Sequence, residues 1–501
     1  MSISVRRNIA WSYATWATAA IAPLILVPLY VRFLGKDLYG QWLVISSSLA
    51  VIALAGLGIA QTVCNRVAEA VACKRTDELG QLVSTAFFAY VAIAAGLLTA
   101  AVIFSPRIAA RLTIQRPSVV AAFLIFSGLS LVTMAPRIYE GVLDGYQRVD
   151  WRQRIATVSS LVRIAAIAIA VLCGFKLIAV ALVSGAELLI RGAVAWFLTA
   201  RLNRDLNPRL TQVSGRIFKE LIKPSLGFFS LRLGGTLIVS VDNLVIGYAL
   251  GGQYVTIYAV PYRLTSMVIS LFHTALGAVT PTVTAHHALD RGDRIARGLV
   301  FATRSAVMYS TVAVITLWLL GPAFLRLWAG PGIFPGNLTY ALELAMIPLS
   351  LLVSVPSTIL VASTRHYTQA SLTMAEGLLN LSLSIWWVRH WGLAGVIGGT
   401  IVASIVTTSW YVPIAAMKVV RLQKWDMARA LAPGFALMAG ALTLTGLLWH
   451  GGAPVSIARA IAGSATMAGG FTLLFMLFGF SEEDRRWMRS QVYRAVWRQA
   501  A

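Results

Sequence analysis

Acidic residues are scarce in this chain: 19 Asp and Glu stand against 42 Lys and Arg, and charge of either sign makes up only 12% of the 501 residues. Soluble domains carry roughly 25% charged residues, so a soluble two- or three-domain protein is excluded. Cysteine is nearly missing. Cys64, Cys73 and Cys173 are odd in number and lack ligand spacing, which excludes a disulfide framework and a cysteine metal site. Catalytic signatures are also missing: there is no GxxxxGK[ST], no HExxH and no GxSxG. The chain therefore reads as a non-enzyme with no catalytic residue, no metal and no cofactor. Any energy such a chain uses then comes from outside its own chemistry, with proton and sodium gradients both open.

Hydrophobic residues, by contrast, make up 58% of the chain. Fourteen apolar segments of spanning length centre near Pro23, Val51, Ile93, Phe126, Ile167, Leu188, Ser240, Ile269, Val312, Leu351, Leu381, Ile401, Met438 and Met467. This predicts an all-α polytopic membrane protein of about 14 transmembrane helices. The net charge of +23 is compatible with nucleic-acid binding, but positive-inside topology explains it without that partner. With the N-terminus inside, inner segments hold 29 cations, outer loops 9 and helices 4. Arg107, Arg111 and Arg116, in one outer loop, run against the rule. Arg6 and Arg7 precede an apolar run that continues to Tyr30, too long for a signal-peptide core, so it reads as a retained first span. Pro23 and Pro28 predict a kink in it.

An internal repeat divides the chain. Leu250, Gly251, Val260, Asp293 and Pro322 fall on Leu34, Gly35, Val44, Asp77 and Pro106 at a constant offset of 216, and Leu393 and Val396 fall on Leu177 and Val180. The Gly, Asp and Pro matches carry the argument, because aliphatic residues match one another cheaply. Six helices per copy return the chain to the same side, so the copies are parallel. The expected domains are a six-helix lobe over 1–205, a basic linker over 206–223, a second lobe over 224–420, two extra helices over 421–480 and a basic tail over 481–501. The tail opens with Glu482, Glu483 and Asp484 after an N-cap candidate, then carries five Arg among Trp487, Tyr493 and Trp497.

Charges inside spans mark candidate functional sites. Asp242 lies ten residues before Gly252 and Arg263 eleven after it, so a helical hairpin puts them at nearly equal depth, where they form a structural ion pair or a gate. Arg232 is ten residues from Asp242, a rotation of about 280°, and needs another partner. Arg163 sits about eight residues into its span, roughly 12 Å deep, without a local partner. Arg163 and Arg232 lie at one level, which suits a diphosphate, and Arg263 is the third candidate substrate-binding residue; snorkelling or pairing with Glu343 or Glu376 is the structural alternative. Glu187 and Arg191, four apart, neutralise each other. On helical spacing, Arg137 pairs with Glu140 and Asp144 with Arg148.

Leu34-Gly35-x-x-x-Tyr39-Gly40-x-Trp42, Gly58 with Arg66, Leu143-x-Gly145, Asp242-Asn243, Leu250-Gly251, Tyr258 and Arg263 together resemble the bacterial polysaccharide (O-antigen and teichoic-acid) flippases of the multidrug/oligosaccharidyl-lipid/polysaccharide exporter superfamily. The resemblance covers nearly the whole chain. It implies two parallel six-helix lobes with two extra C-terminal helices, in the bacterial cytoplasmic (inner) membrane. It also implies flipping of an undecaprenyl-diphosphate-linked oligosaccharide from the cytoplasmic to the periplasmic leaflet by alternating access. The partners implied are that glycan lipid, membrane lipid and other polysaccharide-assembly membrane proteins. Where relatives often carry an acid before the glycine of the second helix, this chain has Gly56-Leu57-Gly58. The alternatives are a multidrug or lipid II exporter of the same superfamily, and a membrane polysaccharide polymerase or ligase; the last needs a large outer-face site, whereas every outer segment here is short.

Both termini are expected in the cytoplasm. A reporter fused after Ala501 that is active only on the outer side of the membrane would overturn this topology.

Overall fold

In a computed structural model of the chain, the described residues are 3–486 and 488 apart from 57, 74–77, 112–115, 289–291, 363–365 and 449–456. Among them there is no strand. Among the described residues ten stretches are long and apolar enough to cross a membrane, and Ala10–Gly56 and Ser371–Val419 each hold two of the expected spans. Asp77, one of the repeat matches, and tail residues 487 and 489–501 lie outside the described residues.

Packing forms two compact units, Met1–Thr256 and Ile257–Ala501. The first holds α1 (Ile3–Leu29), α2 (Gly35–Ile52), α3 (Ile59–Ala72), α4 (Leu79–Arg111), α5 (Pro117–Val132), α6 (Ile138–Gly145), α7 (Val149–Leu172), α8 (Leu177–Leu202) and α9 (Gly215–Ala249), with the first turn of α10 (Gly252–Ala288). α1 packs on α7, α5 on α8, and α9 on α2, α3 and α4. The second unit holds the rest of α10, then α11 (Gly292–Trp328), α12 (Asn337–Ala362), α13 (His366–Val406), α14 (Thr408–Val419), α15 (Lys424–Leu448) and α16 (Ile457–Leu474). There α11 packs on α12, α15 and α16. A duplication boundary and a packing boundary are different quantities, and α9 belongs to the first unit by packing.

The repeat matches recur as conformation. Gly35 and Gly251, 216 positions apart, both take positive φ, +83° and +98°, at the turns before α2 and α10. Only glycine takes such values without strain. Val180 and Val396, another matched pair, are both fully buried. α1 contains Pro23 and Pro28 and runs into a π-turn at Tyr30–Leu34, where each proline removes a helix donor.

The expected basic linker is folded onto the first unit. Tyr139 Oη donates to the Leu206 carbonyl at 3.1 Å, Ser84 Oγ donates to Gln212 Oε1 at 3.1 Å, and the Arg209 and Ser214 N–H groups donate to Ser84 Oγ and Thr85 Oγ1. In the second unit Ser481 opens a capping box: its N–H donates to Asp484 Oδ2, and the Asp484 N–H donates back to Ser481 Oγ. Asp484 also pairs with Arg304 of α11, whose Nε donates to the Ala430 carbonyl of α15, so one arginine ties the C-terminal helices to α11.

Gly251→Val is expected to lower unfolding stability in detergent by about 1–3 kcal/mol. An unchanged thermal unfolding midpoint would show that this turn accepts a side chain.

Candidate substrate site in the first unit

Two helix breaks follow apolar stretches of the first unit. α2 ends at Ile52, a 3₁₀ turn covers Ala53–Gly56, Gly58 takes φ +73°, and α3 starts at Ile59. α5 ends at Val132 and α6 starts at Ile138. The breaks adjoin: a Cβ on Gly56 would lie 3.3 Å from the Tyr90 ring and 3.6 Å from Met134 Cε. Beyond them α3 and α6 pack through Gly141 and Gly145, where a Cβ on Gly145 would fall 2.7 Å from Val67. This four-residue spacing of glycines permits close helix approach in a membrane.

A new helix start exposes backbone N–H groups, and Gly58 has no side chain to accept from them. The buried Tyr90 of α4 supplies the acceptor, taking the Ala60 N–H on its hydroxyl at 3.0 Å. Arg232 on α9 and Arg137 just before α6 both lie within electrostatic range of that hydroxyl, and both residues are exposed. Sequence reasoning singled out Arg232 but missed Tyr90, and it placed Arg137 in a surface pair. The available signal was the interruption of apolar runs at Gly56-Leu57-Gly58 and at Thr133 to Pro136, because interrupted spans point to binding sites.

Arg163 belongs to a second cluster, and its partner is a distant one in sequence. Its Nε lies 3.9 Å from Glu187 Oε2 on α8. A search at helical spacing along one helix misses an acid on the next. Glu187 does face Arg191, at 3.6 Å, but Arg191 also holds Glu140 at 3.0 Å, and Ser159 Oγ donates to Glu187 Oε1 at 3.1 Å. Glu140 thus turns to α8 rather than to Arg137. Asp144 pairs with Arg152 at 2.7 Å rather than with Arg148, whose guanidinium lies over the Trp151 ring. The reason is the left-handed Gln147, φ +58°, which breaks the helical register between α6 and α7. Burial pushes the Asp144 carboxyl above the ordinary carboxylate range, opposed by Arg152.

α7 packs on α1, α6 and α8, whereas α9 packs on α2, α3 and α4, so Arg163 and Arg232 sit on different helix clusters. Asp242 is buried in α9; Arg263 is exposed on α10 in the second unit. Among the described residues neither Glu343 nor Glu376 forms an ion pair. Glu343 is fully buried, while Glu376 accepts from Thr408 Oγ1 at 2.8 Å. One turn along α13, Asn380 Oδ1 accepts from Ser384 and Thr400. A cavity of about 420 Å³, lined by Arg66, Glu69, Glu78 and Glu220 over an apolar floor, opens between α3, α4 and α9.

A family model described as polysaccharide biosynthesis protein matches residues 5–287. No curated protein matches the chain significantly. Among solved structures, an inward-closed form of the lipid II flippase MurJ superposes with TM-score 0.70 at 15% identity, over 93% of this chain and 98% of that one. An inward-facing multidrug resistance MATE family transporter of the MOP superfamily gives 0.67 at 14%, over 82% and 99%. A MOP superfamily transporter from Pyrococcus furiosus gives 0.51 at 15%, over 84% and 95%. At these identities the likeness establishes the fold, that of multi-pass membrane transporters.

Tyr90→Phe is expected to leave the Ala60 N–H unpaired and to lower stability by about 1–3 kcal/mol. A variant with wild-type thermal stability in detergent would show that the hydroxyl does not cap α3.

Proposed function

The chain belongs to the polysaccharide biosynthesis protein family, and on that premise we propose that it flips an undecaprenyl-diphosphate-linked oligosaccharide from the cytoplasmic to the periplasmic leaflet of a bacterial inner membrane. The observation that carries this reading is the meeting of two helix breaks beside Tyr90, with Arg232 and Arg137 in range of its hydroxyl. In this reading the two breaks bring irregular backbone and helix termini to membrane depth, which is tolerated only inside protein or along a watered cavity. A guanidinium presents forked donors that meet two oxygens of a diphosphate at once. A cationic drug finds like charge there, so the glycan-lipid reading is favoured over multidrug export. Arg163 stands in this reading as a further cation for the carrier's phosphates. The reading assigns this chain binding, orientation and release, with no bond made or broken by its own side chains.

Arginine within a span costs at least ~2.5 kcal/mol on insertion scales, so Arg232 must return that cost in a contact. Export of the glycan is therefore expected to be abolished by Arg232→Ala at unchanged protein abundance and only partly kept by Arg232→Lys. Full export by Arg232→Ala, or loss of the protein from the membrane, would give Arg232 a structural role.

A further inference from the structure

The four charges on α6, α7 and α8 form one chain, Glu140–Arg191–Glu187–Arg163, with side-chain exposures of 13, 19, 10 and 24%. Its two ends are not equivalent. Glu187 receives Ser159, Arg191 and Arg163, and Arg191 is held in turn by Glu140. Arg163 is the most exposed member and has the longest link, 3.9 Å through Nε. Among the described residues it makes no hydrogen bond. The ion pair engages Nε and leaves the two terminal nitrogens, the pair that forms a forked contact with phosphate oxygens.

The direction of Arg163 follows from the helix it sits on. The exposed apolar residues of α7, Val158, Leu161, Val162, Ile169 and Leu172, fall on one face. Arg163 lies roughly 140° from the centre of that face at 100° per residue, on the side that packs against protein. It is also within electrostatic range of Tyr30, where α1 enters its π-turn. Arg163 thus lies on the packed side of α7 and not on its exposed apolar face.

We infer that Glu187 is a built-in competitor for Arg163: it occupies the guanidinium when no ligand is bound and yields it to a diphosphate. Arg191, Ser159 and Glu140 make the exchange tolerable. When Arg163 leaves, Glu187 keeps Arg191 and Ser159 as partners, so no bare carboxylate remains at low dielectric, a state that costs several kcal/mol when a buried pair is broken outright. When the ligand departs, Glu187 recaptures Arg163 and opposes rebinding. Glu187 is thus a positioning residue that sets how tightly the ligand is held. The inference rests on the proposed reading that the substrate carries a diphosphate.

The test uses the full chain in phosphatidylcholine nanodiscs, with farnesyl diphosphate and inorganic pyrophosphate as probes and tryptophan fluorescence as readout. Glu187→Gln is expected to lower the Kd for farnesyl diphosphate about tenfold, the scale of one charge-assisted hydrogen bond, while slowing glycan export. In an Arg163→Ala background the same substitution is expected to change nothing. Ser159→Ala, which removes one of Glu187's other partners, is expected to weaken binding and serves if Glu187→Gln does not accumulate. Unchanged or weaker binding by Glu187→Gln, tightening that persists without Arg163, or tightening by Ser159→Ala would overturn the exchange. Pyrophosphate binding that follows this pattern, without binding of the prenyl diphosphate, would uphold the exchange and sink the lipid-carrier reading. Binding of neither probe would overturn the exchange itself.

Discussion

A backbone N–H or C=O inside a bilayer has no water to turn to, and each one left unpaired costs several kcal/mol. That constraint forces this chain into helices, and it makes every interruption of a helix an event that needs a named partner. At the start of α3 the partner is the Tyr90 hydroxyl, reaching across from α4 because Gly58 brings no side chain of its own. The glycine that permits the left-handed turn is thus the same residue that makes a distant cap necessary. Helix break, glycine and buried tyrosine form one unit, and the neighbouring break at residues 133–137 shares its wall through Met134 and Gly56.

Much of the architecture was legible because it follows from averages over long runs. Apolar length integrates many residues and the two-fold recurrence of Gly35 and Gly251 reflects one strict steric demand, and the positive φ at both glycines shows that demand met twice. The site was less legible. Arg232 is conspicuous as a charge in a span, but its surroundings depend on α4 and α6, which lie more than eighty residues away in sequence. Tyr90 is an ordinary aromatic in an apolar run until Ala60 is placed against it. Helical spacing reports only neighbours on the same helix, so it left Arg163 without a local partner and could not single out Glu187 on the next one.

The segment before α9 shows a different limit of composition. Six cations with Asn, Pro and Gly over residues 201–223 have the composition of a solvated linker. Yet a short polar stretch that returns to the end of a bundle can use its backbone to satisfy buried hydroxyls there. Ser84 and Thr85, almost fully buried on α4, do this work with the Arg209 and Ser214 N–H groups. Polar composition describes what a segment can bond to and leaves open whether the partner is water or protein.

Charge inside the first unit obeys a related logic. A single arginine held by a single acid would form a pair that no ligand could open without leaving one charge bare. The chain instead has two acids and two arginines in series across α6, α7 and α8, with a serine at the central carboxylate. Series connection lets one terminal contact be exchanged while the interior contacts persist, so the cost of opening falls on the longest and most exposed link. In a bilayer, where each added charge raises the cost of insertion, a four-charge network is hard to explain by cohesion alone; an apolar packing of the same volume would hold the helices at least as well. What the network has that such packing lacks is a guanidinium held at 3.9 Å by an acid with other partners, which is the arrangement the proposed exchange requires.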